Sequence, residues 1–252
     1  MRRACHALSR ASSHGPAVLE PSPPFHLRPT AAVADRALLP GDPGRALALA
    51  QVVLGDDRRM FNHHRGLWGY TGTASDGAPL TIQSTGMGGP SAAIVLEELI
   101  GLGARRIVRV GTCGALADGL ALGSLVVPDG VLAEDGTSRA LGADGTLRPD
   151  GELHSALRAA APDAAAGLVV SSDLFYDPDP ERARGWARAG ALAVEMEAAT
   201  LFTLGRRLDV ATACVLAVSD TFEDGERRRI GDEELAAAAE RMGSLAAATL
   251  AA

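Results

Sequence analysis

Lysine is absent from this chain, and all 24 basic side chains are arginine. The two residues are not interchangeable at bidentate or stacked sites, and no single function calls for arginine everywhere, so the bias reads as one of coding. Cysteine is scarce: Cys5, Cys113 and Cys214 among 252 residues. Three thiols cannot build a disulfide framework. Cys113 and Cys214 fall in apolar segments, which points to buried free thiols in a reducing, cytoplasmic setting. No apolar run approaches the roughly 18–20 residues that cross a bilayer, which argues against a membrane span. No basic stripe accompanies the formal net charge of −7, so nucleic acid is a poor partner. Aromatic residues make up only 4%, so any adjacent pair of rings stands out.

What is present is a globular composition, 47% apolar and 22% charged, long enough for one domain with a substantial core. Residues 1–24 hold Arg2, Arg3 and Arg10 among scattered Ser, Ala and Pro. They lack the apolar core of a secretory signal and read as a disordered extension or a misassigned start codon. The most structured stretch is Ser84–Gly114. A glycine-rich turn (Gly86, Gly88, Gly89) with Pro90 runs into a helical pattern, Ser91–Leu102, with Ser91 as N-cap. A strand, Ile107–Val110, then ends in a second glycine turn, Gly111–Gly114. Arg109 lies inside that apolar strand, and a buried charge must be paired. Two readings stand for it: an internal salt bridge, or an anion such as phosphate held beside free backbone N–H groups. Upstream, a strand at Ala37–Leu39 feeds the turn Pro40-Gly41-Asp42-Pro43 and a helix from Arg45 to Val53. The Gly41 amide and Arg45 there make either a second anion-binding element or an ordinary strand-to-helix turn.

Further along, His63-His64 has no third ligand at metal-binding spacing, so no metal is assigned. Strands at Gly66–Gly72 and Leu80–Ser84 are joined through Asp76-Gly77. After the strand Ser124–Pro128, residues 129–151 read as a long surface excursion. A helix at Glu152–Ala160 and a strand at Gly167–Ser171 follow. Phe175 and Tyr176 close that strand as either core or a stacking platform. After a helix at Arg182–Ala189, Glu195, Met196 and Glu197 stand in an apolar setting at a helix start. Buried carboxylates need donors, and ribose hydroxyls are good ones. The alternative is carboxylates that merely favour the helix dipole. Finally, the buried strand Ala211–Val218 ends at Asp220, a position suited to acid–base work. A charged loop, Thr221–Ile230, and a terminal helix, Asp232–Ala252, complete the chain.

In this order the segments LLPGDPGRA, NHHRGLWGYTG, STGMGGPSAAIVLEELIGLGA, RVGTCGAL, SSDLFY, VEMEAATLFTL and VSD resemble the nucleoside phosphorylase family. The similarity is to its bacterial hexameric branch, which holds purine nucleoside, uridine and 5'-methylthioadenosine phosphorylases. It runs from Phe25 to the C-terminus. The expected fold is a single α/β domain over residues 25–252, with a mixed twisted central β-sheet flanked by helices and ligands at strand ends. The resemblance implies a phosphate site of Gly41, Arg45, Arg109 and Thr112, with Arg65 lent by a neighbouring subunit. It implies ribose binding by Glu195, Met196 and Glu197, with His26 reaching the 5' end from the partner. Phe175 would stack on the base and Asp220 would protonate it at N7. Inorganic phosphate is the co-substrate, with no metal or organic cofactor.

These residues in trans make a dimer the smallest active homo-oligomer, and a hexamer the family expectation. The implied reaction is phosphorolysis of a purine (deoxy)ribonucleoside, possible substrates including 5'-methylthioadenosine, in nucleoside salvage. The alternatives are a uridine phosphorylase, a water-using nucleosidase, or a nucleoside-binding protein without turnover. Asp220 favours purine. The uridine enzymes use a Gln and an Arg after SSD-x-FY, and here only Arg182 is present. An arginine assisting Asp220 is expected among Arg227, Arg228 and Arg229, without a fixed register.

Overall fold

The computed structural model describes residues 24–223 and 226–251. Cys5 and nearly all of the 1–24 segment lie outside the described residues. The chain enters with the fully buried strand β1 (Arg36–Leu39), then α1 (Pro43–Val53), which Asp42 caps by accepting the Arg45 N–H at 2.6 Å. An antiparallel meander follows: β2 (Arg59–Asn62), β3 (Gly69–Thr73) and β4 (Pro79–Gln83). Asp76-Gly77 turns β3 into β4, with Gly77 at φ 82°, a conformation glycine adopts without strain. The next helix, α2, covers Gly89–Gly101, and β5 covers Arg106–Ala115.

The remaining elements are β6 (Leu125–Ala133), α3 (Gly136–Ala140), β7 (Thr146–Leu147), α4 (Gly151–Ala160), β8 (Ala165–Ser171) and α5 (Pro180–Arg188). After them come β9 (Ala191–Glu195), α6 (Ala198–Leu208), β10 (Ala211–Glu223), β11 (Glu226–Arg229) and α7 (Asp232–Ala251). Strand β1 lies parallel between β4 and β5. From β5 the pairing runs through β9, β8 and β6 to β10, and β10 pairs back onto β5 in parallel. The mixed sheet therefore closes a ring on one side and splays into the β4-β3-β2 meander on the other. One apolar layer joins the sheet to α2 and α6, through Val95, Leu99, Leu201 and Phe202. The other joins it to α1, α4 and α7, through Leu49, Leu153, Met242 and Leu250. None of the described helices is long and apolar enough to cross a membrane.

The single α/β domain with a mixed sheet is as expected, but several local expectations are corrected. Gly88, at φ 85°, occupies the N-cap of α2, and Ser91 lies inside the helix, where its Oγ donates to the Thr85 carbonyl at 2.6 Å. Residues 111–114 do not turn. They continue β5, each paired with β10, because a long partner strand offers a ladder that local propensity does not foresee. The 129–151 excursion holds the rest of β6, then α3 and β7. The charged loop after Val218 is a β10–β11 hairpin, pairing Asp220 with Arg229 across the ladder.

The buried Arg36 of β1 donates to both carboxylate oxygens of Asp76, at 2.5 and 2.7 Å, and to the Pro79 and Ala78 carbonyls. The Arg36 hydrogen bonds hold the Asp76 pKa down to about 2. A depressed carboxyl stabilises the fold fully above the ordinary carboxylate range, and the contribution is lost as pH falls through about 2. Asp76→Asn therefore lowers Tm at pH 7, and the gap from wild type narrows only in strong acid. Thermal unfolding across pH 2–7 checks this.

Candidate active site

Strand register builds the site. Leu39 of β1 pairs with Arg109 of β5, so the turn after Leu39 lies beside the arginine, and β10 flanks β5 from the other side. Arg109 is buried and points to the α2–α6 layer. Its Nε donates to Glu195 Oε2 at 3.0 Å and its Nη2 to Glu197 Oε2. The third arm, Nη1, is buried without a partner among the described residues. Burial disfavours the guanidinium charge, but Glu197 and Glu195 outweigh that and hold its pKa above the ordinary value. Of the two readings of Arg109 made from sequence, the structure shows the salt bridge, and it is to the two carboxylates assigned to the sugar.

Glu195 ends β9 and Glu197 caps α6, so the helix starts after both rather than at them. Glu195 also accepts the Ser171 hydroxyl and the N–H groups of Glu197 and Ala198. Ser171 in turn accepts the Ala199 N–H at 2.8 Å. Glu197 Oε1 accepts the Gly88 N–H at 2.5 Å, tying the glycine turn to the carboxylate pair. Protein groups already satisfy both carboxylates, so burial alone does not require ribose. Burial raises the Glu197 carboxyl above its usual range; Arg109 opposes this and Glu195 adds to it. Met196 is half-buried between them.

Arg45 stands in the first turn of α1. Its guanidinium makes no hydrogen bond or ion pair among the described residues. Burial lowers its pKa, Asp42 pulls the other way, and the charge of Arg109 lowers it further. The turns at Gly41 and Gly86 are joined by the Gly86 N–H donating to the Gly41 carbonyl at 3.0 Å. Thr112 is half-exposed on β5, and strand alternation sets it on the α1 face, opposite to Arg109.

Asp220 is buried on β10. It accepts Ser219 Oγ at 2.8 Å and Arg227 Nε at 3.0 Å, and Arg229 Nε lies 3.3 Å from the same Oδ1. The hairpin resolves the register left open in sequence: residues 227 and 229 alternate onto the face of Asp220, and 228 onto the other. The Arg227 guanidinium also stands 4.4 Å from the Phe175 ring centroid. Phe175 is 49% exposed and Tyr176 85%, so these rings are not core.

His26 and Arg65 are not brought to this cluster. Glu98 on α2 accepts the N–H groups of Phe25, His26 and Leu27, and lies 2.8 Å from His26 Nδ1. At 1.5 Å rise per residue, Glu98 lies ~15 Å along α2 from Gly88. His64 Nδ1 donates to the His26 carbonyl at 2.9 Å, and Arg65 follows on the same turn, exposed, at φ 59°. The two residues assigned to a neighbouring site therefore share one surface. Ser171, Gly88 and the choice of Arg227 and Arg229 escaped the sequence reading. Only the adjacency of SSDLFY and STGMGG to assigned residues hinted at the first two.

An α/β enzyme is defined here, with a buried arginine–carboxylate cluster where β1, β5, β9 and β10 meet. The Phosphorylase superfamily profile matches residues 35–252, and the chain belongs to that superfamily; it is a nucleoside phosphorylase, a pentosyltransferase. It is 35% identical over 209 residues to a DeoD-type purine nucleoside phosphorylase of Clostridium novyi, covering 80% of this chain and 89% of that one. A Clostridium beijerinckii protein of the same description is 37% identical over 205 residues, 79% and 86% of the two chains. A guanosine phosphorylase of Halorubrum lacusprofundi is 37% identical over 205 residues, 79% and 84%.

Gly111 gives Arg109 its room: a Cβ there would lie 2.7 Å from Nη2 and 2.8 Å from Cζ. Gly111→Ala displaces the guanidinium and lowers kcat/KM on the order of a hundredfold, the usual penalty of an ~1 Å misplacement. Two buried ion pairs pin the clashing guanidinium, so Tm falls as well. Steady-state kinetics with circular dichroism checks both.

Proposed function

We propose that the enzyme cleaves purine (deoxy)ribonucleosides with inorganic phosphate, giving the free base and (deoxy)ribose 1-phosphate. The observation that carries this is the pair Arg45 and Arg109. The Arg45 guanidinium has no hydrogen bond or ion pair among the described residues and feels the charge of Arg109, and Arg109 keeps a buried arm, Nη1, without a partner among them, so both have donors to offer an anion. Phosphate there, with the Gly41 amide, supplies the nucleophile and a negative charge facing the oxocarbenium-like sugar; Thr112, on the opposite face of β5 from Arg109, is left out of this site. Glu197 and Glu195 take the ribose hydroxyls, with Met196 against the sugar.

Asp220 delivers the N7 proton to the departing purine, and Arg227 stabilises the carboxylate left behind. Phe175 stacks on the base. Two observations favour purine over uracil. Arg182, the residue available for a uracil, is ion-paired to Asp177 at 3.0 Å. The similar proteins above carry purine or guanosine in their names. Arg65 and His26 serve the site of a second subunit, in an oligomer of at least two chains, with the hexamer as the full assembly in the cytoplasm.

Inosine, adenosine, 5'-methylthioadenosine and uridine, each with and without phosphate, test the reading. Cleavage of a purine nucleoside should require phosphate and yield a sugar 1-phosphate, whereas phosphate-independent release of free sugar overturns it. Asp220→Asn should lower kcat by about 10²–10⁴, and an unchanged kcat removes Asp220 as the acid. Mixing Arg65→Ala with Asp220→Asn subunits restores one intact site per mixed dimer, about a quarter of wild-type activity for random pairing. No restoration means the sites are not shared.

A further inference from the structure

Within one chain, the two halves of the site neutralise each other. Arg109 spends its Nε on Glu195 and its Nη2 on Glu197, and Glu197 has both oxygens taken, one by Arg109 and one by the Gly88 N–H. On the proposed reading, that guanidinium serves phosphate and those carboxylates serve the sugar. A phosphate on the free Nη1 of Arg109 draws on the same positive charge as Glu197 and stands beside both carboxylates, which weakens the Arg109–Glu197 pair. A sugar on Glu197 brings hydroxyl donors, so the carboxylate no longer depends on Arg109. Each substrate thus supplies what the other removes. The side chains of Arg109, Glu195 and Glu197 are all less than a tenth exposed, so solvent and salt screen this exchange weakly.

We infer that the Arg109–Glu197 ion pair is a latch between the two substrates, so that phosphate and nucleoside bind with positive cooperativity, each opening the pair for the other. The inference rests on the phosphate and ribose assignments above. Linkage makes it reciprocal: the factor by which nucleoside tightens phosphate equals the factor by which phosphate tightens nucleoside. The base pocket at Asp220 and Phe175 takes no part, because neither residue contacts the ion pair.

Calorimetric titration of the full-length enzyme with inorganic phosphate tests it. The titration is made alone, with 9-deazainosine or 9-deazaadenosine saturating, and with the matching free base saturating. The carbon–carbon glycosidic link of the 9-deaza nucleosides resists phosphorolysis. The phosphate Kd should fall about tenfold with the nucleoside analogue, within the ~5–150-fold usual for coupled sites, and less than about twofold with the free base. The reverse titration should return the same factor. In Glu197→Gln, which keeps the shape and loses the charge, phosphate alone should bind more tightly than to wild type. A wild-type phosphate Kd that ignores the nucleoside analogue, or tightens equally with the free base, overturns the latch and leaves phosphorolysis standing. Failure of phosphate to bind under any of these conditions overturns the latch and the proposed reaction together.

Discussion

A guanidinium in the middle of a buried strand constrains everything around it. Arg109 interrupts Ile107, Val108 and Val110, all fully buried, and removing one partner from such an ion pair costs about 3–5 kcal/mol. The chain therefore has to deliver carboxylates to it, and it does so from β9 and the start of α6, residues 86 and 88 positions downstream. Ser171 then fixes Glu195, and the Gly88 turn fixes Glu197. A cluster held this firmly is also a prepared electrostatic site, since its donors and acceptors are oriented before any ligand arrives.

The closed ring of strands is what makes that delivery possible. Because β10 pairs with β5 as well as with β6 and β11, Asp220 is set opposite Gly114 on one side and Arg229 on the other. The acid–base candidate and the arginine cluster thus hang from neighbouring strands, while β1, on the other flank of β5, carries the turn to Arg45. Helix α2 links two regions: its glycine cap touches Glu197, and Glu98 farther along holds the segment that bears His26. The surface of His26, His64 and Arg65 is thereby built from the same helix that starts at the site.

Much of this was legible in the chain. The apolar runs located β1, β4 and β10, the periodicity located α2, and the buried charges flagged Arg109, Glu195, Glu197 and Asp220, because unpaired charge in an apolar segment is costly wherever it occurs. Pairing beyond the Asp76-Gly77 hairpin was not legible. Gly111–Gly114 has turn composition and is strand, Ser91 has cap chemistry and lies inside a helix, and Thr221–Ile230 reads as a loop and forms a hairpin. For Gly111–Gly114 a strand distant in sequence outweighed the local preference through a ladder of hydrogen bonds, while Ser91 and the 221–230 segment were decided by contacts within a few residues that composition does not reveal.

The amino-acid sequence by itself determined the class of fold, the family, and which side chains had to find opposite charge. Only the tertiary structure decided which charge met which: that Arg109 is held by Glu195 and Glu197 together, that Arg227 and Arg229 rather than Arg228 turn to Asp220, and that Phe175 is exposed. The reason is physical. Burial cost is a property of a residue and its near neighbours, whereas ion pairing depends on strand register and on separations of a few ångströms, which exist only once the sheet has closed.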